Sequence, residues 1–101
     1  MTLPKKWEAY AIAEQIHVGG ITIILFDSHQ FKTIPIESIS NIIAIGNDNK
    51  FIWEAEPPTT KYDIYFKIYL KGNYLMARSG GGQLHQLDIK TGKIVDSFMT
   101  K

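Results

Sequence analysis

Few residues in this chain are of types that do chemistry, and most of those stand in the wrong company. Asp27, Ser28 and His29 are adjacent and are the three residue types of a hydrolase triad. A triad, however, is assembled from distant segments, and no nucleophile elbow surrounds Ser28. The stretch reads instead as a turn, where Asp and Ser satisfy backbone donors locally. Thr91-Gly92-Lys93 invites a phosphate-loop reading, but position 87 is Leu where such a loop requires Gly, and Lys93 is followed by Ile94 rather than Ser or Thr. Gly92 is then expected to be the left-handed residue of a hairpin turn. His17, His29 and His85 are scattered with no pair at metal-ligand spacing, so they are expected at the surface, solvated or hydrogen-bonded. The sequence therefore suggests no catalytic residue, no metal ligand and no cofactor, and the chain is read as a non-enzyme.

One constellation does better. In KYDIYFKIYLKGNYLMARSGG, residues 61–81, the even positions Tyr62, Ile64, Phe66, Ile68 and Leu70 make an apolar face, and the odd positions Asp63, Tyr65, Lys67, Tyr69 and Lys71 point the other way. Gly72-Asn73 suits a two-residue hairpin turn. That turn sets Lys71 opposite Tyr74, Leu70 opposite Leu75, Tyr69 opposite Met76, Ile68 opposite Ala77 and Lys67 opposite Arg78. Tyr65, Lys67, Tyr69, Lys71, Tyr74 and Arg78, with Met76 among them, are the expected binding face, and no acid follows Asp63 within it.

Directly opposed like charges destabilise a sheet by up to about 1 kcal/mol, a cost that an anionic partner would remove. Tyr and Arg are also enriched where interfaces concentrate their binding energy. Gly80, Gly81 and Gly82 follow and could bring backbone amides close to an anion. The plainer alternative is a solvated face whose lysines deter edge pairing and whose tyrosines follow strand propensity.

The elements that must hold this face are strands. With 101 residues, 45% hydrophobic and 21% charged, the chain has the size and composition of one globular domain with one core. There is no cysteine, so disulfides and thiolate metal sites are excluded, as suits a reducing compartment. No signal-peptide pattern and no run of 18 apolar residues is present, which points to a cytoplasmic protein that avoids membranes. The net charge of +1 hides an asymmetry: residues 1–60 carry four lysines against seven acids, and residues 61–101 carry seven Lys and Arg against three acids. The basic charge lies with the hairpin.

Residues 10–18 alternate apolar and polar, with one lapse at Glu14, and are read as a strand; a helix over 4–17 is the alternative, since Ala, Glu and Gln are frequent there. ITIILF, FKTIPI, SNIIAI, KFIWEAE, DIYFKIYL, YLMARS and the two runs around DIKTGK follow as strands. PPTT at 57–60 is a loop between two β halves rather than a domain boundary. Trp7 and Trp53 are expected in the core or at its edge. The fold class is thus all-β: one antiparallel domain of about eight or nine short strands, in meanders like propeller blades or in a small barrel or sandwich.

IIAIGNDNKFIWEAE (42–56) aligns with LHQLDIKTGKIVDSF (84–98), setting Ile45 on Leu87 and Phe51 on Ile94. The offset is about the length of a four-stranded propeller blade, and QLDIKTGKIV resembles the blade-ending turn of quinoprotein-type and WD-like β-propellers. Propellers need four or more blades, and this chain supplies about two. The resemblance therefore implies that several chains complete a ring or that the unit stands as an open sheet or small barrel. Two functional readings follow: a binding protein, inhibitor-like or immunity-like, that engages an acidic protein surface or a phosphate-bearing ligand through the hairpin, or a structural or sugar-binding unit that forms a homo-oligomeric propeller.

Overall fold

The computed structural model describes residues 3–99. Eight strands form two four-stranded antiparallel sheets, each a meander in chain order. The first holds β1 (Ile12–Val18), β2 (Ile21–Phe26), β3 (Ile42–Gly46) and β4 (Phe51–Glu54). The second holds β5 (Tyr65–Lys71), β6 (Tyr74–Ser79), β7 (Gln83–Leu87) and β8 (Ile94–Met99). The only helical pieces among the described residues are 3-10 turns at Lys5–Trp7 and Ser28–Gln30. The helix over 4–17 does not form: Pro4 opens a single turn, and Ile12–Val18 alternates half-buried and exposed as a strand does. The strand expected at FKTIPI does not form either. Pro35 brings no donor to a ladder, its carbonyl instead accepts the Ser38 amide in a turn, and residues 31–36 lie in the long loop between β2 and β3.

The two sheets repeat one another in detail. In the first hairpin of each, Ile12↔Phe26 corresponds to Tyr65↔Ser79 and Val18↔Ile21 to Lys71↔Tyr74, at one constant offset, and both hairpins carry a bulge one step in from the open end. In the second hairpins, Ile45↔Phe51 corresponds to Leu87↔Ile94, and each again has a register shift beside it. Matching bulges are designed features rather than accidents of packing. What separates the halves is the link between their hairpins, residues 27–41 in the first and 80–82 in the second.

The sheets pack face to face over one apolar layer. Ile23, Leu25, Ile42, Ala44, Trp53 and Ala55 of the first half meet Tyr65, Ile68, Leu75, Ala77 and Leu87 of the second. The first sheet has a second covered face. Ile24, Phe26, Ile43 and Ile45 pack with Trp7, and Leu3, Tyr10, Ile12 and Phe31 close over them. Trp7 stacks on Phe26 at 4.5 Å and Tyr10 on Phe31 at 4.9 Å. That is why β2 and β3 are apolar at nearly every position, whereas β6 and β7 carry polar residues, Arg78 and Gln86, on the uncovered face.

Polar links set how one sheet sits on the other. Asn41, fully buried, donates to the Phe26 and Tyr65 carbonyls at 2.9 and 2.7 Å and accepts the Tyr65 amide at 3.0 Å, bridging the end of β2 to the start of β5. At the other side Trp53 Nε1 donates to the Ile89 carbonyl at 2.7 Å, and its ring lies against Gly92. Gly92 has φ 74 and no room for a Cβ, which would collide with the Trp53 ring. Gly19 also has positive φ, 54, but nothing lies near its missing Cβ. Gly92→Ala is therefore expected to cost about 2–4 kcal/mol, conformational strain plus overpacking. Gly19→Ala, with strain alone, should cost about 1–2 kcal/mol. Urea denaturation of both variants checks the difference.

Candidate functional site

The β5–β6 hairpin turns on Gly72-Asn73, with Gly72 at φ 60, and a two-residue turn fixes the register of its strands. The pairs are Lys71↔Tyr74, Leu70↔Leu75, Tyr69↔Met76, Ile68↔Ala77 and Lys67↔Arg78, as expected from the sequence.

One step further the expectation fails. Between Tyr65 and Lys67 the register shifts, so two residues of β5 oppose one of β6 and the alternation restarts in the opposite phase. Tyr65, expected on the binding face, is fully buried between the sheets, and its hydroxyl donates to the Glu56 carbonyl at 2.7 Å. Phe66, expected inside, is 46% exposed. Tyr62 and Asp63 exchange in the same sense: Tyr62 sits exposed in a turn at φ 55, and Asp63 is buried. Leu70 lies on the inner face but is 37% exposed, where the two sheets part.

The outer face therefore consists of Phe66, Lys67, Tyr69, Lys71, Tyr74, Met76 and Arg78. The β6–β7–β8 register extends it in rows across the sheet, Lys67–Arg78–Leu84–Phe98 and Tyr69–Met76–Gln86–Asp96. Tyr74 and Phe98 are exposed, and Met76 is buried. Unlike the outer face of the first sheet, this one has no apolar cluster of the described residues closing over it.

The like-charge pair does not stand alone. Glu14 of β1 reaches across, its Oε2 3.3 Å from Lys67 Nζ and its Oε1 accepting the Ile68 amide at 3.3 Å. Glu14 and Lys67 occupy equivalent positions beside the bulges of the two halves. Part of the repulsion is thus answered from within the chain, leaving Lys71 and Arg78 as the cations without an ion pair on this face among the described residues.

Beside the hairpin, the parting sheets leave an open cleft of about 860 Å³. Val18, Ile21, Ile52, Leu70, Ile89 and Val95 give it an apolar floor. Tyr74 belongs both to this cleft and to the basic face.

Asp63, Tyr65 and His85 combine burial with a shifted pKa. Burial pushes the Asp63 carboxyl up, but hydrogen bonds from Thr60 and from the amides of Ile64 and Gly81, with the nearby Ser79 hydroxyl, outweigh it and hold the group below its ordinary value. The Gly80–Gly82 loop thus gives an amide to the chain's own carboxylate. Burial pushes the Tyr65 hydroxyl well up, with the Glu56 and Asp63 charges adding to it. His85, expected at the surface, is fully buried; its Nδ1 lies 2.7 Å from Ser97 Oγ, its Nε2 has no hydrogen bond, and burial lowers its pKa against the opposing pull of Asp63. Its position was readable, since His85 has the same parity as buried Leu87 in QLHQL. His29 is exposed, and Asp27 accepts its amide and faces its Nδ1, so the Asp-Ser-His run is a capped turn. Trp7 and Trp53 are both buried, as expected.

Residues 8–98 match the family described as a domain of unknown function, DUF7957. None of the curated proteins matches the chain. Among solved structures, the crystal structure of the computationally designed Ika8 protein aligns with a TM-score of 0.60 at 9% identity, over 89% of this chain and 24% of that one. The likeness is one of fold, and the chain spans about a quarter of that protein's length.

Ile68→Ala, inside the sandwich, should cost about 2–5 kcal/mol. Phe66→Ala should cost about 1 kcal/mol, as suits a half-exposed ring, and Lys67→Thr less than about 0.5 kcal/mol, its ion pair being exposed. Thermal melts of the three variants check the order.

The buried groups set a pH window. His85 and Asp63 both have folded pKa values below their unfolded ones, near 6.5 and 3.8. Between folded and unfolded values the unfolded chain holds more protons, so stability falls as pH drops through 6.5 and again through 3.8. Tyr65 has the opposite sign, its folded pKa lying above 10.0, and stability should decline as pH rises past that value. Urea midpoints measured across pH should show both flanks, and His85→Gln should flatten the one below 6.5.

Proposed function

This chain belongs to the DUF7957 family, and we propose that it is a non-enzymatic interaction protein that binds an acidic protein surface through the outer face of its second sheet. Tyr69, Lys71, Tyr74 and Arg78 carry the contact, with Lys67 held partly in reserve by Glu14 and the Leu70–Tyr74 edge of the cleft taking an apolar side chain of the partner. The observation that carries this reading is the contrast between the two outer faces. The first is closed by Trp7, Tyr10 and Phe31; the second presents cations interleaved with aromatic rings and has no comparable cover among the described residues. Broad faces of Tyr and Arg suit a protein partner, where aromatic anchors supply area and the cations steer the approach. A single phosphate would use only a corner of it. An inhibitor-like or immunity-like role in the cytoplasm fits such a module.

The alternative, assembly of several copies into a ring of sheets, draws on the internal repeat. Ring closure through the first sheet's outer face would displace the aromatic cover that face already has, and so we favour the binding reading.

Titration of the isotope-labelled protein with a polyglutamate peptide, followed by amide chemical shifts, tests the proposal. Shifts should cluster at residues 69–78, fade as salt rises, and vanish in the Lys71→Glu, Arg78→Glu double variant, while inorganic phosphate alone gives far smaller changes. Shifts centred elsewhere, or equal responses to phosphate and peptide, would overturn it.

A further inference from the structure

The two sheets have four outer edges, and three are visibly protected against pairing with another strand. β4 has only four residues and a register shift. β5 has a bulge and two lysines. β1 is bulged, and Gln30 pairs with both backbone groups of Ala11 just before it. β8 differs. It is six residues long, has no Lys, Arg or Pro, and leaves Val95, Phe98 and Met99 exposed, Met99 at 77%. Its irregularity lies at its start, where the Glu56 carboxylate holds the Ile94 amide. Further along, the Asp96 carboxylate turns back onto the Ser97 amide at 2.9 Å, which marks that N–H as facing away from β7. By alternation the Met99 amide faces outward too.

We propose that the β8 edge pairs with β8 of a second copy, antiparallel and two-fold symmetric about Phe98. In this register Phe98 lies opposite the partner's Phe98 in the closer, non-hydrogen-bonded kind of pair, and each Ser97 exchanges both backbone bonds with the partner's Met99. The ladder uses the outward amides of Ser97 and Met99, the Ser97 amide exchanging its Asp96 carboxylate for the partner's carbonyl. A shift by one pair would put Phe98 opposite the partner's Asp96 and lose the aromatic contact. The rows of the outer face then run on without a break: Lys67, Arg78, Leu84 and Phe98 of one copy continue into the same residues of the other in reverse order. The apolar residues meet at the centre and the cations fall on the two flanks, the Arg78 residues roughly 24 Å apart at ordinary strand spacing. The chain's net charge of +1 offers little repulsion between copies. An isologous contact of this kind closes at two. Only Ser97, Phe98 and Met99 of β8 pair with the same three residues of the other copy in this register, which is less than a standard interface, so the dimer is weak and depends on concentration.

Sedimentation equilibrium over a wide concentration range, with hydrogen exchange, tests this. The parent should pass from monomer to dimer, with Ser97 and Met99 amides gaining protection as concentration rises. Phe98→Lys, which sets like charges opposite one another, should weaken the dimer about tenfold or more, and Met99→Pro, which removes an outward donor without touching the β7 ladder, should do the same. Lys71→Glu should leave it intact, so this contact fails or stands separately from the basic face. A parent that stays monomeric throughout, a dimer indifferent to both β8 variants, or a closed trimer or tetramer would overturn the proposal; circular dichroism confirms that each variant is folded.

Discussion

Ile23, Leu25, Ile42 and Ala44 meet Ile68, Leu75, Ala77 and Leu87 in a single apolar layer, and the rest of the chain is arranged around which residues reach it. A sheet of short strands needs at least one apolar face to bury if it is to be stable in water. The first sheet supplements the shared layer with its own aromatic cover over the far side. Among the described residues the second has only the shared layer, so its outer face must be tolerable in water, and tyrosines, lysines and an arginine make it so. The polarity of that face is a structural necessity before it is anything else. Its aromatic and like-charged pattern is what solvation alone does not demand.

Much of this was legible in the sequence. ITIILF and IIAIG are apolar at nearly every position because both faces of β2 and β3 are covered, whereas YLMARS and QLHQL include Tyr74, Arg78 and Gln86 on an open face. The Gly72-Asn73 turn set five cross-strand pairs correctly. The failures have local causes. A bulge inserts one residue with no mark in composition, and it moved Tyr65 inward and Phe66 outward. Glu14 is distant from Lys67 in the chain and joins it only once the sheets pack. His85 is buried because its place in the strand, two residues from buried Leu87, prevails over the surface preference of its residue type. FKTIPI has strand-like composition but a proline in it, and no free edge recruits it.

Buried polar groups at the seam carry a different burden from the apolar layer. Apolar side chains tolerate sliding; Asn41 does not, since its amide satisfies two carbonyls and one amide on two segments at once. Asp63 similarly ties the start of β5 to the Gly80–Gly82 turn through Ile64 and Gly81. Such satisfied networks contribute little net stability compared with apolar burial, but leaving any member unpaired is costly. They specify which of several face-to-face arrangements the two halves adopt, a real choice when the halves repeat one another as closely as these do.

The two tryptophans sit in separate compartments: Trp7 in the aromatic cover outside the first sheet, Trp53 between the sheets with its indole nitrogen on Ile89. Their emission therefore reports on different events. Trp7 senses the peeling of the N-terminal segment from the first sheet, while Trp53 senses the parting of the two halves. Nature has placed one intrinsic fluorophore at each seam of the molecule, so optical spectroscopy on single-tryptophan versions can follow the outer cover and the inter-sheet layer independently, without any label.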